Sequence, residues 1–203
     1  LATLFFNNIL LLKRQIQFNV WIKKGKSIGM FKSIYYANLN KNNQKQIIKV
    51  SLKNGWFSGF IDGEGCFYAK TRQSKKDLSK IGIEQKLTLI QKDTSGYEKI
   101  VFEKILLLFK SKSKVYSFSR PKIKNSVYIQ IDISSIPSQK ILINYLFSYQ
   151  LRTLKKKAFL KWYKLYLYRT NNFICLNTSS DQLIIYMTQL VKSMNKYKSD
   201  SYE

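Results

Sequence analysis

Two stretches of the chain alternate apolar and polar residues with the two-residue period of a half-buried β-strand. In residues 66–72 the positions on one face are basic or aromatic: Tyr68, Lys70 and Arg72. In residues 81–91 one face is apolar and the other is polar, with Glu84, Lys86 and Thr88 on the polar face. The polar segment 73–79 separates the two runs, and together they predict a β-hairpin with one basic, hydrated face.

Predicted helices and strands continue along the chain. An apolar helix is expected at 56–61, and residues 94–109 have the helical spacing of apolar positions, Ile100 among them, with Thr94 or Ser95 as cap. Further strands and helices are predicted at 114–120, 125–133, 137–149, 151–168 and 181–194. The order from residue 56 is α-β-β-α-β-β-α, which predicts an α+β fold with an antiparallel sheet backed by helices.

Three regions follow from this order. Residues 1–50, with helical-looking runs at 18–24 and 44–52, are predicted to be a leader or linker. Residues 51–170 form the predicted α+β domain, and residues 171–203 form a C-terminal helical extension. The apolar segment at 1–12 is too short to span a bilayer, so we expect no stable membrane insertion.

The charge balance favours a polyanionic partner. Lys and Arg number 36 against 11 Asp and Glu, for a net charge of +25 at pH 7, which favours nucleic acid. A membrane surface, or the codon bias of AT-rich organellar genes, is the alternative explanation. The absence of histidine excludes His-based catalysis and the Ser-His and Cys-His nucleophile mechanisms. Cys66 and Cys175 are too far apart in sequence to suggest a zinc site or a disulfide framework.

Residues 57–65, Phe-Ser-Gly-Phe-Ile-Asp-Gly-Glu-Gly, carry the candidate chemistry. Gly59 and Gly63 are four residues apart and share one helix face, where a second helix can approach closely. Glu64 would then lie beside its counterpart on the partner helix, and paired carboxylates bind the divalent ions that activate water at a phosphate. Asp62 is expected to bond local backbone. The simpler alternative is a polar turn after a buried helix.

These nine residues resemble the signature of the LAGLIDADG family of homing endonucleases and intron maturases. The agreement covers the apolar start, the small second residue, Gly59, the apolar pair Phe60-Ile61, Asp62 and Glu64-Gly65. The resemblance implies a saddle-shaped antiparallel sheet whose polar face lies in the DNA major groove. It also implies a site-specific endonuclease that hydrolyses phosphodiesters with Mg²⁺ for intron homing, and it makes Glu64 the catalytic metal ligand.

Two further segments resemble the family. Gln91-Lys92 matches the Gln-Lys pair that ends the family's hairpin, which implies that Gln91 positions the attacking water; a surface turn residue is the alternative. Residues 149–157 resemble the Leu-x-Thr-Lys-Lys region that supplies a basic residue to the cleavage pocket. Lys155 is the candidate for this basic residue. The alternative is that Lys155 is a solvated residue on the surface of a helix. Leu154 stands where the first lysine is often found, which leaves open whether cleavage is impaired.

Nucleic-acid contacts are predicted on the polar face of the hairpin. Lysine and arginine bind phosphates or guanine edges there, while threonine and tyrosine contact phosphates or thymine methyls. Glu84 would be repelled by phosphate unless it accepts from a cytosine amino group. An ordinary hydrated sheet face is the alternative. The candidates are Tyr68, Lys70, Arg72, Lys86, Thr88 and, outside the hairpin, Arg120.

One acidic helix cannot complete a paired-carboxylate site. Either two copies form a homodimer, or a first half precedes Leu1; residues 6–24 resemble the end of the first half in two-motif members from mitochondrial introns, which favours a C-terminal half. The implied partner is double-stranded DNA at an intron-insertion site, and the implied location is the mitochondrion. The alternative function is an RNA maturase that binds its host intron, since the same basic surface attracts both polymers.

Overall fold

The computed structural model describes residues 12–28, 50–73, 81–93, 96–119, 126–170 and 180–194. Within these ranges the helices and strands follow one another in the predicted order, and none of the helices is long and apolar enough to cross a bilayer. The elements are α1 Leu12–Ser27, α2 Trp56–Glu64, β1 Gly65–Gln73, β2 Ile81–Asp93, α3 Tyr97–Leu108, β3 Tyr116–Ser119, β4 Val127–Ile133, α4 Ile136–Ser148, α5 Lys155–Thr170 and α6 Ser180–Ser193.

The chain divides into two compact units, each built from separate segments of sequence. Unit 1 comprises Leu1–Ser51, Gln91–Ile105 and Val115–Ile129. Unit 2 comprises Leu52–Ile90, Leu106–Lys114 and Gln130–Glu203. The division into a leader, a domain at 51–170 and a C-terminal extension stays a prediction.

The four strands form one sheet in the order β1-β2-β4-β3. The predicted hairpin is confirmed, with β1 antiparallel to β2 in a register that runs from Gly65 opposite Leu89 to Gln73 opposite Ile81. The α+β class with an antiparallel sheet is confirmed as well. Strand β4 pairs with β2 as well as with β3. The polar residues of β2 therefore have neighbours on β4 in addition to those on β1.

The inner face of the sheet in unit 2 is an apolar core. Phe67, Leu87 and Leu89 are almost completely buried, as the alternation predicts. Helix α5 covers β1, and the rings of Phe159 and Trp162 both lie 5.6 Å from that of Phe67. Each such side chain contributes about 1.5–3 kcal/mol through burial, so the aromatic contact fixes α5 against the sheet.

A buried polar network adds directional bonds to this core. Gln85 interrupts the apolar row of β2 at 2% exposure, and its Nε2 donates to the carbonyl of Trp162. Gln139 donates to the Gln85 carbonyl at 2.7 Å, and Arg169 donates to Gln85 Oε1 at 3.0 Å. Burial lowers the pKa of the Arg169 guanidinium. The network therefore sets the rotation of α5 relative to β2, because misaligned polar groups here would lose their partners.

In unit 1, α3 buries the face that carries Val101, Phe102 and Ile105. Ile100 is 45% exposed, although it follows the helical spacing of the apolar positions. The reason is geometric, since two residues along a helix correspond to about 200° of rotation and place Ile100 opposite Phe102. The predicted caps Thr94 and Ser95 lie outside the described residues.

The helices α1, α4 and α5 correct or confirm predicted boundaries. Helix α1 confirms the run at 18–24, whereas residues 44–49 of the second run lie outside the described residues and residues 50–52 are not helical.

Helix α4 begins after Ser135, whose hydroxyl caps it by accepting from the Ser138 N–H, with proline in the first turn. Helix α5 begins at Lys155 rather than 151, and Leu154, which the predicted helix at 151–168 made available for burial, is 55% exposed.

Candidate active site and nucleic-acid interface

Helix α2 is held in unit 2 by its apolar face and by its first turn. Phe57 is fully buried, with its ring 5.1 Å from that of Phe109 and 5.8 Å from that of Tyr145. The Tyr145 hydroxyl accepts from the Ser58 N–H at 3.0 Å and donates to the Asn54 carbonyl at 2.8 Å. Burial raises the pKa of Tyr145. The start of α2 is therefore fixed by neutral groups on α4.

The opposite face of α2 is open among the described residues. Gly59 and Gly63 are both exposed, and a Cβ added to either would meet none of these residues within 4 Å. A groove of about 600 Å³ runs beside this face, lined by Gly55, Ser58, Gly59, Asp62, Ser148, Tyr149, Gln150 and Arg152. The face thus has the small residues and the free space that a second helix needs, although the helix-interface role of the two glycines stays a prediction.

The junction between α2 and β1 requires glycine because of space. Gly65 has φ −76° and ψ 147°, an extended conformation open to any residue. A Cβ there would lie 2.8 Å from both the carbonyl oxygen and Cγ2 of Ile61. Gly65 is therefore required at this helix-to-strand junction for a steric reason rather than for its backbone angles. Glu64 is consequently the last residue of α2, and it is exposed.

Lys155 lies at the C-terminal end of α2. Its Nζ donates to the carbonyls of Ile61 at 3.1 Å and Gly63 at 3.0 Å in the last turn of α2, where the Ile61 carbonyl also accepts from the N–H of Gly65. Partial burial lowers the pKa of Lys155, while the nearby Asp62 and Glu64 carboxylates act in the opposite direction. The structure thus brings together Lys155 and Glu64, which are 91 residues apart in sequence.

Asp62 holds the segment that leads into α5. Its carboxylate accepts from the N–H of Arg152 at 2.7 Å and from the Thr153 hydroxyl at 2.6 Å. Thr153 Oγ1 accepts in turn from the N–H of Lys155 at 3.2 Å. These bonds hold residues 152–153 outside the helix and explain why α5 begins at Lys155. Asp62 therefore bonds a segment 90 residues away in sequence rather than the local backbone that was expected.

The described residues of this chain provide an incomplete set of metal ligands. Among them, no three His, Cys, Asp or Glu side chains come close enough together to hold a metal ion. Glu64 can offer one exposed carboxylate, and Asp62 is engaged by the segment before α5. A divalent ion bound at Glu64 would need further oxygen ligands from outside these residues.

Gln91 has a different environment from the one the sequence suggests. It lies within β2, which extends to Asp93, and it shares the core-facing side of that strand with Gln85, Leu87 and Leu89. Its exposure is only 6%, so it is not a surface turn residue. Gln91 belongs to unit 1, and its role in positioning water stays a prediction.

The polar face of the hairpin carries most of the predicted nucleic-acid contacts. Tyr68 is directly opposite Lys86 in the register, and the Lys86 ammonium lies 5.3 Å from the centre of the Tyr68 ring. Lys70 is exposed and Thr88 is half-buried. Arg72 lies on the same strand, but its side chain is outside the description, and Arg120 lies outside the described residues.

Asp132 on β4 is a polar-face residue that sequence reasoning did not single out. Its carboxylate accepts from Lys86 Nζ and from the Thr88 hydroxyl, each at 2.8 Å, and from Gln130 Nε2 at 3.2 Å. The hydrogen bond to Asp132 is the largest cause of the raised pKa of Lys86. Alternation along 125–133 predicts that Asp132 points outward, but nothing local indicates that β4 lies beside β2.

Comparisons with known proteins agree with this arrangement. The family model for LAGLIDADG endonuclease matches residues 57–166. The probable intron-encoded endonuclease 4 of Neurospora crassa is 24% identical over 166 residues, which are 82% of this chain but only 27% of that protein.

Two solved structures have the same fold. The homing endonuclease I-TnaI is 17% identical, with a TM-score of 0.56 over 74% of this chain and 91% of that one. I-SmaMI, solved bound to an uncleaved DNA target in the presence of calcium ions, is 14% identical, with a TM-score of 0.55 over 82% of this chain and 54% of its own.

Proposed function

The chain belongs to the LAGLIDADG endonuclease family, and on that premise we propose that it forms one half of a site-specific DNA endonuclease that acts in intron homing. The observation that carries the proposal is the end of α2. An exposed carboxylate, Glu64, lies there beside the partly buried ammonium of Lys155, next to a helix face with room for a partner. The chain spans about a quarter of its curated relative, which is consistent with a second half elsewhere.

The residues at the end of α2 would have different roles in phosphodiester hydrolysis. Glu64 would be one ligand of a Mg²⁺ ion, which would polarise the phosphate and lower the pKa of a bound water. Lys155 supplies positive charge beside the developing negative charge. Its two bonds to the carbonyls of α2 keep the ammonium in place. Gln91 is the candidate for positioning the water. The second carboxylate comes from another acidic helix.

That acidic helix would pack against the face of Gly59 and Gly63. We favour a first half of the same protein as its source, with a second copy of the chain as the alternative. Small residues on both helices allow close backbone contact and bring the two carboxylates to short range. The space that the described residues leave above both glycines supports this role.

DNA binding would use the outer face of the sheet. The alternation in sequence assigns Tyr68, Lys70, Arg72, Lys86 and Thr88 to that face, with Arg120 as a further candidate. The net charge of +25 supports binding to phosphates, which gives affinity without regard to sequence. Base-edge contacts from the strands supply the sequence dependence.

An RNA maturase is the second candidate, supported by the same charge and by the likeness to an intron-encoded relative. We place the protein in mitochondria, on the likeness of residues 6–24 to mitochondrial-intron members and the abundance of Lys, Asn, Ile, Phe and Tyr. Retention of Glu64 favours cleavage, because RNA binding alone makes no use of an exposed carboxylate at a helix end.

The test is cleavage of DNA that spans the exon junction, by the reading frame that contains this chain, with and without Mg²⁺. Glu64→Gln is expected to reduce cleavage by more than roughly 100-fold, since changes in residues that merely support metal ligands cost 10–100-fold. Glu103→Gln, an exposed acid on α3, is the matched control and should cleave normally. If neither wild type nor variant cuts and both bind the intron RNA, the maturase replaces the endonuclease.

A further inference from the structure

The centre of the sheet's polar face contains a carboxylate where phosphate binding favours cations. Asp132 is 17% exposed at its side chain, and it carries negative charge in a chain of net charge +25. On a surface meant only to attract phosphates such a group lowers affinity by repulsion. Its position among Lys86, Thr88 and Gln130 indicates a different use.

Asp132 holds Lys86 in a defined place. The ammonium is restrained by the carboxylate at 2.8 Å and lies over the ring of Tyr68 at 5.3 Å. A lysine on an exposed strand otherwise samples many rotamers and reaches any nearby phosphate. The pair is only partly buried, at 23% and 17% side-chain exposure, so water and salt retain some access to it. Lys86 is thus kept near the strand, with its remaining N–H groups available to a base edge.

Asp132 also sets which atoms of its neighbours remain as acceptors. A carboxylate can only accept, so Thr88 commits its hydroxyl proton and Gln130 commits an amide N–H to it. The Thr88 oxygen keeps lone pairs for accepting, and the Gln130 amide is oriented with Oε1 away from Asp132. The cluster therefore offers a fixed donor, Lys86, beside two acceptors.

We infer that Asp132 is a positioning residue for DNA sequence discrimination: it withholds Lys86 from phosphates and orders a donor-and-acceptor pattern for reading bases. This inference rests on the proposed DNA-binding function and adds a specificity device to it. Lys86 reads guanine, which presents N7 and O6 as acceptors in the major groove. Thr88 and Gln130 accept from the amino group of adenine or cytosine at the adjoining base pair.

The experiment measures dissociation constants, for the reading frame that contains this chain, on the junction DNA, on single-base-pair variants of it and on random DNA at several salt concentrations. Asp132→Asn keeps the shape and removes the charge. We expect tighter binding to random DNA, a salt slope steeper by about one because Lys86 becomes free to bind a phosphate, and a target-to-random ratio lower by about tenfold.

A second variant on the Asp132→Asn background tests whether Lys86 carries the effect. Adding Lys86→Met to Asp132→Asn should return the salt slope to the wild-type value, because no lysine is released. Glu103→Gln removes the same charge from the exposed side of α3, outside the polar face of the sheet, and is the matched control. It should change neither the salt slope nor the target-to-random ratio.

Thr88→Val tests the acceptor pattern without changing any charge. We expect an unchanged salt slope and a loss of discrimination confined to one base pair, about 1–3 kcal/mol when expressed as a free energy. Thermal unfolding by circular dichroism verifies that each variant is folded.

The outcomes separate the inference from the proposed function. If the wild type binds junction DNA selectively but Asp132→Asn, like Glu103→Gln, leaves the target-to-random ratio unchanged, or its steeper salt slope survives Lys86→Met, the inference is overturned and the function stands. If the wild type binds all DNA with equal affinity, sequence discrimination is absent and both are overturned.

Discussion

Lys155 at the end of α2 and Lys86 on the sheet face are both held in place by hydrogen bonds. The acceptors are backbone carbonyls for Lys155 and a side-chain carboxylate for Lys86. Lys155 donates to two backbone carbonyls, and partial burial lowers its pKa. Lys86 donates to the carboxylate of Asp132, and this bond raises its pKa. The helix-end site is thus built on main-chain geometry, whereas the sheet cluster is built from side chains. Changes to the backbone should damage the first, and single side-chain changes should retune the second.

The largest expected effect is on catalysis at the helix end. Lys155→Met should reduce DNA cleavage by roughly 100-fold or more, because it removes a positioned charge from the phosphate site. It should also cost about 1 kcal/mol of stability, since the two carbonyls of α2 lose a charged donor at a partly exposed place. Cleavage kinetics and urea unfolding measure the two effects.

Lys164→Met on the same helix provides the control, because its side chain is exposed and it is expected to change neither quantity. Lys155→Arg should recover part of the cleavage activity. Equal cleavage by Lys155→Met and wild type would show that Lys155 only caps a helix.

A backbone change at the junction should have the next largest effect. Gly65→Ala places a Cβ 2.8 Å from the carbonyl oxygen of Ile61, so the junction must shift, at a cost of about 1–3 kcal/mol. Gly63→Ala is the matched comparison, because its Cβ meets no atom within 4 Å in the part of the chain that the structure describes. It should be neutral or stabilise by up to about 1 kcal/mol through helix propensity. Urea unfolding of this chain alone decides between these outcomes, and equal effects at both positions would contradict the steric explanation.

The smallest effect expected is a difference in alkaline stability between the two lysines. The pKa of Lys86 is raised in the folded state. Its contribution to the free energy of unfolding is therefore fully present below pH 10.5 and is lost as the pH rises through the folded-state pKa. The lowered pKa of Lys155 has the opposite sign: the cost of burying its charge diminishes as the pH rises from its folded value toward 10.5.

Unfolding of the wild type, Lys86→Met and Lys155→Met between pH 8 and about 11 measures the difference. The free energy of unfolding of the wild type should exceed that of Lys86→Met by less at the alkaline end of the range. Its excess over that of Lys155→Met should grow toward pH 10.5. Both effects should stay below about 1 kcal/mol, because the groups are partly exposed and screened by water. If the free energies of unfolding of the two variants depended on pH in the same way, the opposite pKa shifts of Lys86 and Lys155 would be contradicted.

Local pattern predicted much of the fold. Alternation in 66–72 and 81–91 predicted the hairpin and its faces, because a strand repeats every two residues wherever it lies. It failed where a boundary depends on distant contacts: Leu154 follows the helical spacing, yet Asp62 holds the preceding residues out of the helix. Ile100 failed for another reason, since a broad apolar pattern does not specify which side of the helix meets the core.

The candidate site was predictable in part. Glu64 at the end of an apolar helix and Lys155 in a basic segment were both named from sequence and resemblance. Gln91 lies near the end of β2, as expected, but on the buried side of the strand rather than in a surface turn. The ties of Lys155 to the carbonyls of α2 were not predictable, because hydrogen bonds across 92 to 94 residues leave no local signal.

The sequence by itself determined the order of elements, the basic face of the hairpin, the glycine face of α2 and the position of Glu64 at its end. These depend on residue periods and on charge, which are properties of neighbours in the chain. The tertiary structure alone decided that Gly65 is required by contact with Ile61, and that Asp132 rather than solvent holds Lys86. Such facts depend on which segments become adjacent in space, and adjacency is fixed by the packing of the whole chain.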